Sequence, residues 1–207
     1  MSRCRRARCA AWTALLAFAL VSAAGAEPLI LCLGDSLTEG YGIAPERSYP
    51  QQLERRLRAS GHPEARVVNA GISGSTTASA VARLRWQLKA KPDVLVLALG
   101  GNDGLRGLEL SETEKNLSEA IALARSQGVE VVLAGMQIPP NYGADYTRSF
   151  RALFPGLAKA HDVALIPFLL EGVAAKPELN LPDGIHPNAA GYEIVTENVL
   201  ATLLPLL

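Results

Sequence analysis

Gly34-Asp35-Ser36-Leu37 places a hydroxyl directly after a short apolar run, 29–33, where a strand turns into a helix. A serine at such a turn can serve as a nucleophile if a base takes its proton. It can equally serve as a helix N-cap. The loop is neither the Gly-x-Ser-x-Gly elbow of α/β-hydrolases nor a Gly-x-x-x-x-Gly-Lys-Ser/Thr phosphate loop. A base is available in Asp183-Gly184-Ile185-His186-Pro187-Asn188. An Asp three residues before a His in one loop can reach the imidazole, fix its tautomer and stabilise the imidazolium, which leaves the second ring nitrogen for the serine. The other two histidines offer less: His62 adjoins Pro63 at an expected turn, and His161 ends an expected helix with Asp162 behind it.

Two further loops carry donors. Asn69-Ala70-Gly71-Ile72-Ser73-Gly74-Ser75 follows the apolar run 66–69, and Gly74 can offer its backbone N–H with no side chain in the way. Gly100-Gly101-Asn102-Asp103-Gly104 follows the run 93–99, and Asn102 offers a side-chain N–H. Each loop alone is ordinary turn chemistry. Three such loops after three successive strands point to one shared site.

The elements that must position these loops alternate. Apolar runs at 29–33, 66–69, 93–99, 129–134 and 163–166 read as five strands, nearly continuous as strands buried on both faces are. Helices are expected at 48–60, 77–90, 111–127, 145–160 and 188–204. Ser111 and Glu114 have capping-box spacing, and Gly128 stands where that helix should stop. Strand–helix alternation implies right-handed crossovers. The fold expected is therefore α/β: a three-layer α/β/α sandwich around a five-stranded parallel sheet. Ligands of such sheets bind beyond the carboxyl ends of the strands, where the first three loops fall, while the loop 183–188 precedes the closing helix.

The chain has 207 residues, enough for one domain. Its 20 basic and 20 acidic side chains balance, which argues against nucleic acid as a partner. With 49% hydrophobic and 19% charged residues it is globular in composition. Residues 1–26 differ from the rest. Arg3, Arg5, Arg6 and Arg8 precede an apolar stretch, 10–21, and Ala24-Gly25-Ala26 follows with small residues. That order is a secretory signal peptide, and the apolar stretch falls well short of the roughly 20 residues a bilayer span needs. The expected organisation is a signal peptide at 1–26 and one domain at 27–207, periplasmic or secreted, without stable membrane insertion of the mature chain. Cleavage removes four basic residues and no acidic one, so the remainder is net acidic. It retains one cysteine, Cys32, too few for an intrachain disulfide or a cysteine metal cluster.

Taken together, the four loops resemble the SGNH, or GDSL, hydrolase superfamily, in order and across residues 29 to about 204. Gly34-Asp35-Ser36-Leu37, 99–107, Pro140-Asn141-Tyr142-Gly143 and 183–188 are similar to the periplasmic multifunctional thioesterase/lysophospholipase/arylesterase group of Gram-negative bacteria. The resemblance implies a flavodoxin-like fold, Ser36 as nucleophile, His186 as base and Asp183 as its partner. It implies an oxyanion hole of the Ser36 N–H, the Gly74 N–H and the Asn102 side-chain amide. It implies small-molecule acyl esters or thioesters as substrates, among them fatty acyl thioesters, lysophospholipids and aryl esters, and no cofactor or metal. Gly71 receives no role. Leu105, Leu108, Leu110, Ile138 and Pro139, with Met136, lie near the same edge and are expected to line an acyl groove or else to pack in the core. Three other readings stay open: a metal-dependent phosphoesterase using Asp35, Asn102, Asp103, Asp183 and His186; a non-catalytic lipid-binding protein; and a carbohydrate acetyl-esterase.

Overall fold

The computed structural model describes residues 28–207, so the expected signal peptide lies outside the described residues. Five strands, β1 (Leu29–Gly34), β2 (Arg66–Gly71), β3 (Val94–Ala98), β4 (Glu130–Ala134) and β5 (Ala164–Ile166), form one sheet in the order β2-β1-β3-β4-β5. Every pairing is parallel. Central β3 is buried at all five positions, whereas edge strand β2 is buried at only two of its six, Val67 and Ala70. This is the gradient that helices on both faces impose on a sheet.

Among the described residues seven α-helices accompany the strands: α1 (Ser36–Glu39), α2 (Tyr49–Ala59), α3 (Ala80–Gln87), α4 (Gly101–Leu105), α5 (Leu110–Ser126), α6 (Ala144–His161) and α7 (Ala189–Leu203). The chain winds from β1 to β2 on one side and then places β3 on the other side of β1. A crevice must open where the winding direction reverses, beyond the carboxyl ends of β1 and β3. Ser36 begins the helix after β1 and Asn102 lies in the helix after β3, so the topology alone brings them to that crevice.

Three local expectations are corrected. The helix expected at 77–90 is broken into a 3₁₀ turn (Thr77–Ser79), α3 and a second 3₁₀ turn (Leu88–Ala90). Its start is set by the buried Asp103 carboxylate, which accepts the Thr77 N–H at 3.0 Å and the Thr77 hydroxyl at 2.5 Å. The Ser111–Glu114 capping box does not form. Helix α5 begins one residue earlier, at Leu110, behind a Glu109 that makes no side-chain cap, and Ser111 falls inside the first turn. Ser36 is not an N-cap either. Asp35 caps α1, accepting the Leu37 N–H at 3.0 Å, and Ser36 is the first helical residue.

Helix α1 can lie against the end of β2 because residue 71 has no side chain. A Cβ on Gly71 would stand 2.1 Å from the Glu39 nitrogen. The sequence alone left Gly71 without a role; its role is to let the serine-bearing turn approach the loop after β2.

Candidate active site

Ser36 Oγ lies 2.9 Å from His186 Nε2, and His186 Nδ1 lies 2.7 Å from Asp183 Oδ2. The separation of 150 positions between Ser36 and His186 is closed by the loop before α7. The Asn188 side chain accepts the Ala190 and Gly191 N–H groups and so starts α7. The Leu181 N–H donates to the His186 carbonyl at 2.7 Å, and the Asn188 N–H to the Leu179 carbonyl at 2.9 Å. These bonds hold the histidine from both sides. The Tyr41 ring lies beside the imidazole, with centroids 4.6 Å apart.

The Asp183 carboxylate does more than meet the imidazole. Its other oxygen accepts the Ile185 N–H at 2.9 Å and the His186 N–H at 3.0 Å. These bonds, that from His186 foremost, hold its pKa down at about 2. A carboxylate depressed in the folded state adds stability above the unfolded pKa of about 3.9 and loses it as pH falls through the folded one. The Tm gap between wild type and Asp183→Ala is therefore expected to be full above pH 5 and to narrow as pH drops through 4 toward 2. Thermal melts across that range check it; a gap that is the same at pH 7 and pH 3 would refute the depressed carboxyl.

Asp35 is perturbed in the other direction. It is buried under Ser36, and burial pushes its pKa up to about 6 against the opposing Leu37 N–H bond. Its Oδ2 accepts one Asn102 side-chain N–H at 3.3 Å, while the Ser75 carbonyl accepts from the same nitrogen at 3.0 Å. Gly74 has φ +75°, and its N–H makes no hydrogen bond among the described residues. The Ser36 N–H, at the first position of a helix, has no intrahelical acceptor. Ser36, Gly74, Asn102 and His186 all border one cavity of about 270 Å³. What borders it can move a proton from a hydroxyl and offer N–H groups to a developing negative charge.

A second, mostly apolar cavity of about 330 Å³ adjoins the first, sharing Leu37, Gly101, Leu105 and Ile185 with it. Leu105, Ile138 and Pro139 line it, as does Met136. Leu108 and Leu110 do not. The turn at Gly107, with φ +62°, carries Leu108 out to the surface and Leu110 into the start of α5, against the core. Sequence reasoning missed Phe168 and Leu170, which follow β5 and form another wall of this cavity. Their position just past a strand was the available signal. Asp103 is not brought to the serine: its carboxylate is bonded to Thr77. Among the described residues no group of three or more His, Cys, Asp or Glu stands together in a metal-binding arrangement.

The GDSL-like lipase/acylhydrolase family model matches residues 32–194. Esterase TesA of Pseudomonas aeruginosa is 40% identical over 193 residues, spanning 93% of this chain and 96% of that one. Thioesterase 1/protease 1/lysophospholipase L1 of Escherichia coli is 38% identical over 184 residues, covering 88% and 86% of the respective chains. Among solved structures, a TesA crystal structure superimposes with a TM-score of 0.83 at 41% identity, over 86% of this chain and 99% of that one.

Proposed function

The chain belongs to the GDSL-like lipase/acylhydrolase family and is a hydrolase of ester bonds, and on that premise we propose that Ser36, His186 and Asp183 carry out the hydrolysis through an acyl-enzyme. The carrying observation is the continuous Ser36–His186–Asp183 relay, 2.9 and 2.7 Å long, bordering a cavity that Gly74 and Asn102 also border. His186 Nε2 takes the hydroxyl proton as Oγ bonds to the acyl carbon. The carbonyl electron pair moves to oxygen, where the Ser36, Gly74 and Asn102 N–H groups stabilise it. Collapse breaks the bond to the alkoxide or thiolate, which leaves with the proton from His186. Water then repeats both steps on the acyl-enzyme, and the acid and free Ser36 are released. Asp183, ionised at any ordinary pH, holds the Nδ1 proton and stabilises the imidazolium in each step.

The substrates we infer are fatty acyl esters and thioesters, including lysophospholipids and aryl esters. Esterase and thioesterase are words in the relatives' names. The adjoining apolar cavity, with Leu105, Ile138 and Pro139 in its wall, supports an acyl group longer than acetyl. Nitrophenyl esters from acetyl to palmitoyl test this, assayed with the purified protein and with Leu105→Ala. Burying a leucine is worth about 1.5–3 kcal/mol. Truncating half-buried Leu105 should therefore cost the lower part of that range, about tenfold in kcat/KM on long chains and little on acetate. Leu108→Ala should leave the series unchanged. An optimum at acetyl, untouched by Leu105→Ala, would favour a carbohydrate acetyl-esterase.

The basic, apolar, small order of residues 1–26 supports a cleaved leader and a periplasmic or secreted enzyme. The intact mass of protein recovered from the periplasm tests the cut. Among the described residues no helix is long and apolar enough to cross a membrane.

A further inference from the structure

Gly74 has no side chain with which to anchor its own N–H, and at φ +75° it occupies a region where glycine backbone is soft. Rotation of the Ser73–Gly74 peptide would swing the N–H away from the serine and present a carbonyl in its place. The peptides on either side of it are each held by a charged side chain. On one side Glu39, the last residue of α1, accepts the Ser73 N–H at 2.7 Å, and the Ser73 hydroxyl on the same oxygen. On the other side Arg106, directly after α4, donates from Nη2 to the Gly74 carbonyl at 2.9 Å. The two grips come from the C-terminal ends of the two short helices that carry Ser36 and Asn102, Glu39 closing α1 and Arg106 capping α4. The start of the loop is tied as well: Asn69 donates to the Glu39 carbonyl at 3.3 Å and accepts the Gly71 N–H at 2.9 Å.

We propose that Glu39 and Arg106 are positioning residues of the oxyanion hole, clamping the Ser73–Gly74 peptide from both sides so that its N–H stays aimed at the acyl oxygen. The proposal rests on the reading of Gly74 as a donor. Both side chains lie at the surface, where single polar contacts add little to global stability. Their effect belongs in turnover, because N–H donors act on the transition state only when already aligned. Removing a donor outright costs about 100- to 1000-fold. Loosening one should cost a fraction of that, about tenfold.

The test uses ¹⁵N-labelled protein, free and phosphorylated on Ser36 by diethyl p-nitrophenyl phosphate, whose phosphoryl oxygen mimics the oxyanion. In wild type the Gly74 amide proton should move downfield on phosphorylation. If it does not, the donor reading of Gly74 falls and the clamp with it, whatever the variants do. With that shift established, Glu39→Ala and Arg106→Ala should each weaken it and lower kcat about tenfold, with KM within about twofold and Tm unchanged. Glu39→Gln keeps an acceptor and Arg106→Lys keeps a donor, so both should recover most of the turnover. The double alanine variant should lose less than the product of the single losses, since both act on one peptide. Wild-type kcat in both alanine variants with the Gly74 shift intact overturns the clamp. So does a rise in KM alone, which would make these residues substrate contacts.

Discussion

Ser36→Ala is expected to lower kcat on nitrophenyl esters by about a millionfold, with KM and Tm nearly unchanged. The magnitude is that of removing the nucleophile from a serine–histidine pair while the rest of the site stands. It should be this large because no neighbour can take over. The Cys32 thiol is fully buried in β1, and burial pushes its pKa up to about 12, so it is neither accessible nor ionised. The Ser73 hydroxyl is committed to Glu39. His186→Ala should cost almost as much, and the double variant scarcely more than either alone, because the two residues act as one unit. Phosphorylation by diethyl p-nitrophenyl phosphate provides an independent reading: wild type should take one equivalent and Ser36→Ala none. A Ser36→Ala protein that keeps even one per cent of wild-type turnover, or that is still labelled, would remove Ser36 as nucleophile.

The five strands and helices α2, α5, α6 and α7 could be read from the sequence because burial on both sheet faces writes continuous apolar runs and the longer helical segments lie between them, whereas the segment 77–90 reads as one helix and is broken by two 3₁₀ turns. The loops after β1, β2 and β3 could be read because the edge rule for parallel sheets says where chemistry collects, and the loop 183–188 because its carboxylate and imidazole stand three residues apart. Helices α1 and α4 were not legible. At four and five residues they span barely more than one turn, too little for any period to show, and they are set by capping at Asp35 and by the bonds around Asp103. The same limit hid the neighbours of the site. Glu39, Tyr41 and Arg106 meet Ser73, His186 and Gly74 only because those short helices turn them there, and the spacing along the chain carries no trace of it. The wall of the apolar cavity was legible at Ile138 and Pro139, in the loop that follows β4. It was misread at Leu108 and Leu110, because proximity to Asn102 in sequence was taken as proximity in space across the Gly107 turn.

Asn102→Ala is expected to reduce kcat by about 100- to 1000-fold, the cost of roughly 2.7–4 kcal/mol for one lost oxyanion donor, with a smaller change in KM. In the free enzyme both N–H groups of this amide have acceptors, the Ser75 carbonyl at 3.0 Å and the Asp35 carboxylate at 3.3 Å. The bond to Asp35 is the longer, so it is the one that should yield to the oxyanion. The bond to Ser75 would stay and keep the amide pointed. Alanine removes both, so a loosened loop could mimic a lost donor. Two comparisons separate these. Asn102→Asp keeps the shape but, once ionised, replaces a donor with a negative charge beside the developing oxyanion and beside Asp35, so it should be slower than Asn102→Ala. Loop damage would instead fall on binding, raising KM and lowering Tm in both variants alike. Turnover within about fivefold of wild type in Asn102→Ala would mean that the Ser36 and Gly74 N–H groups carry the oxyanion alone, and Asn102 would be reduced to holding Ser75 in place.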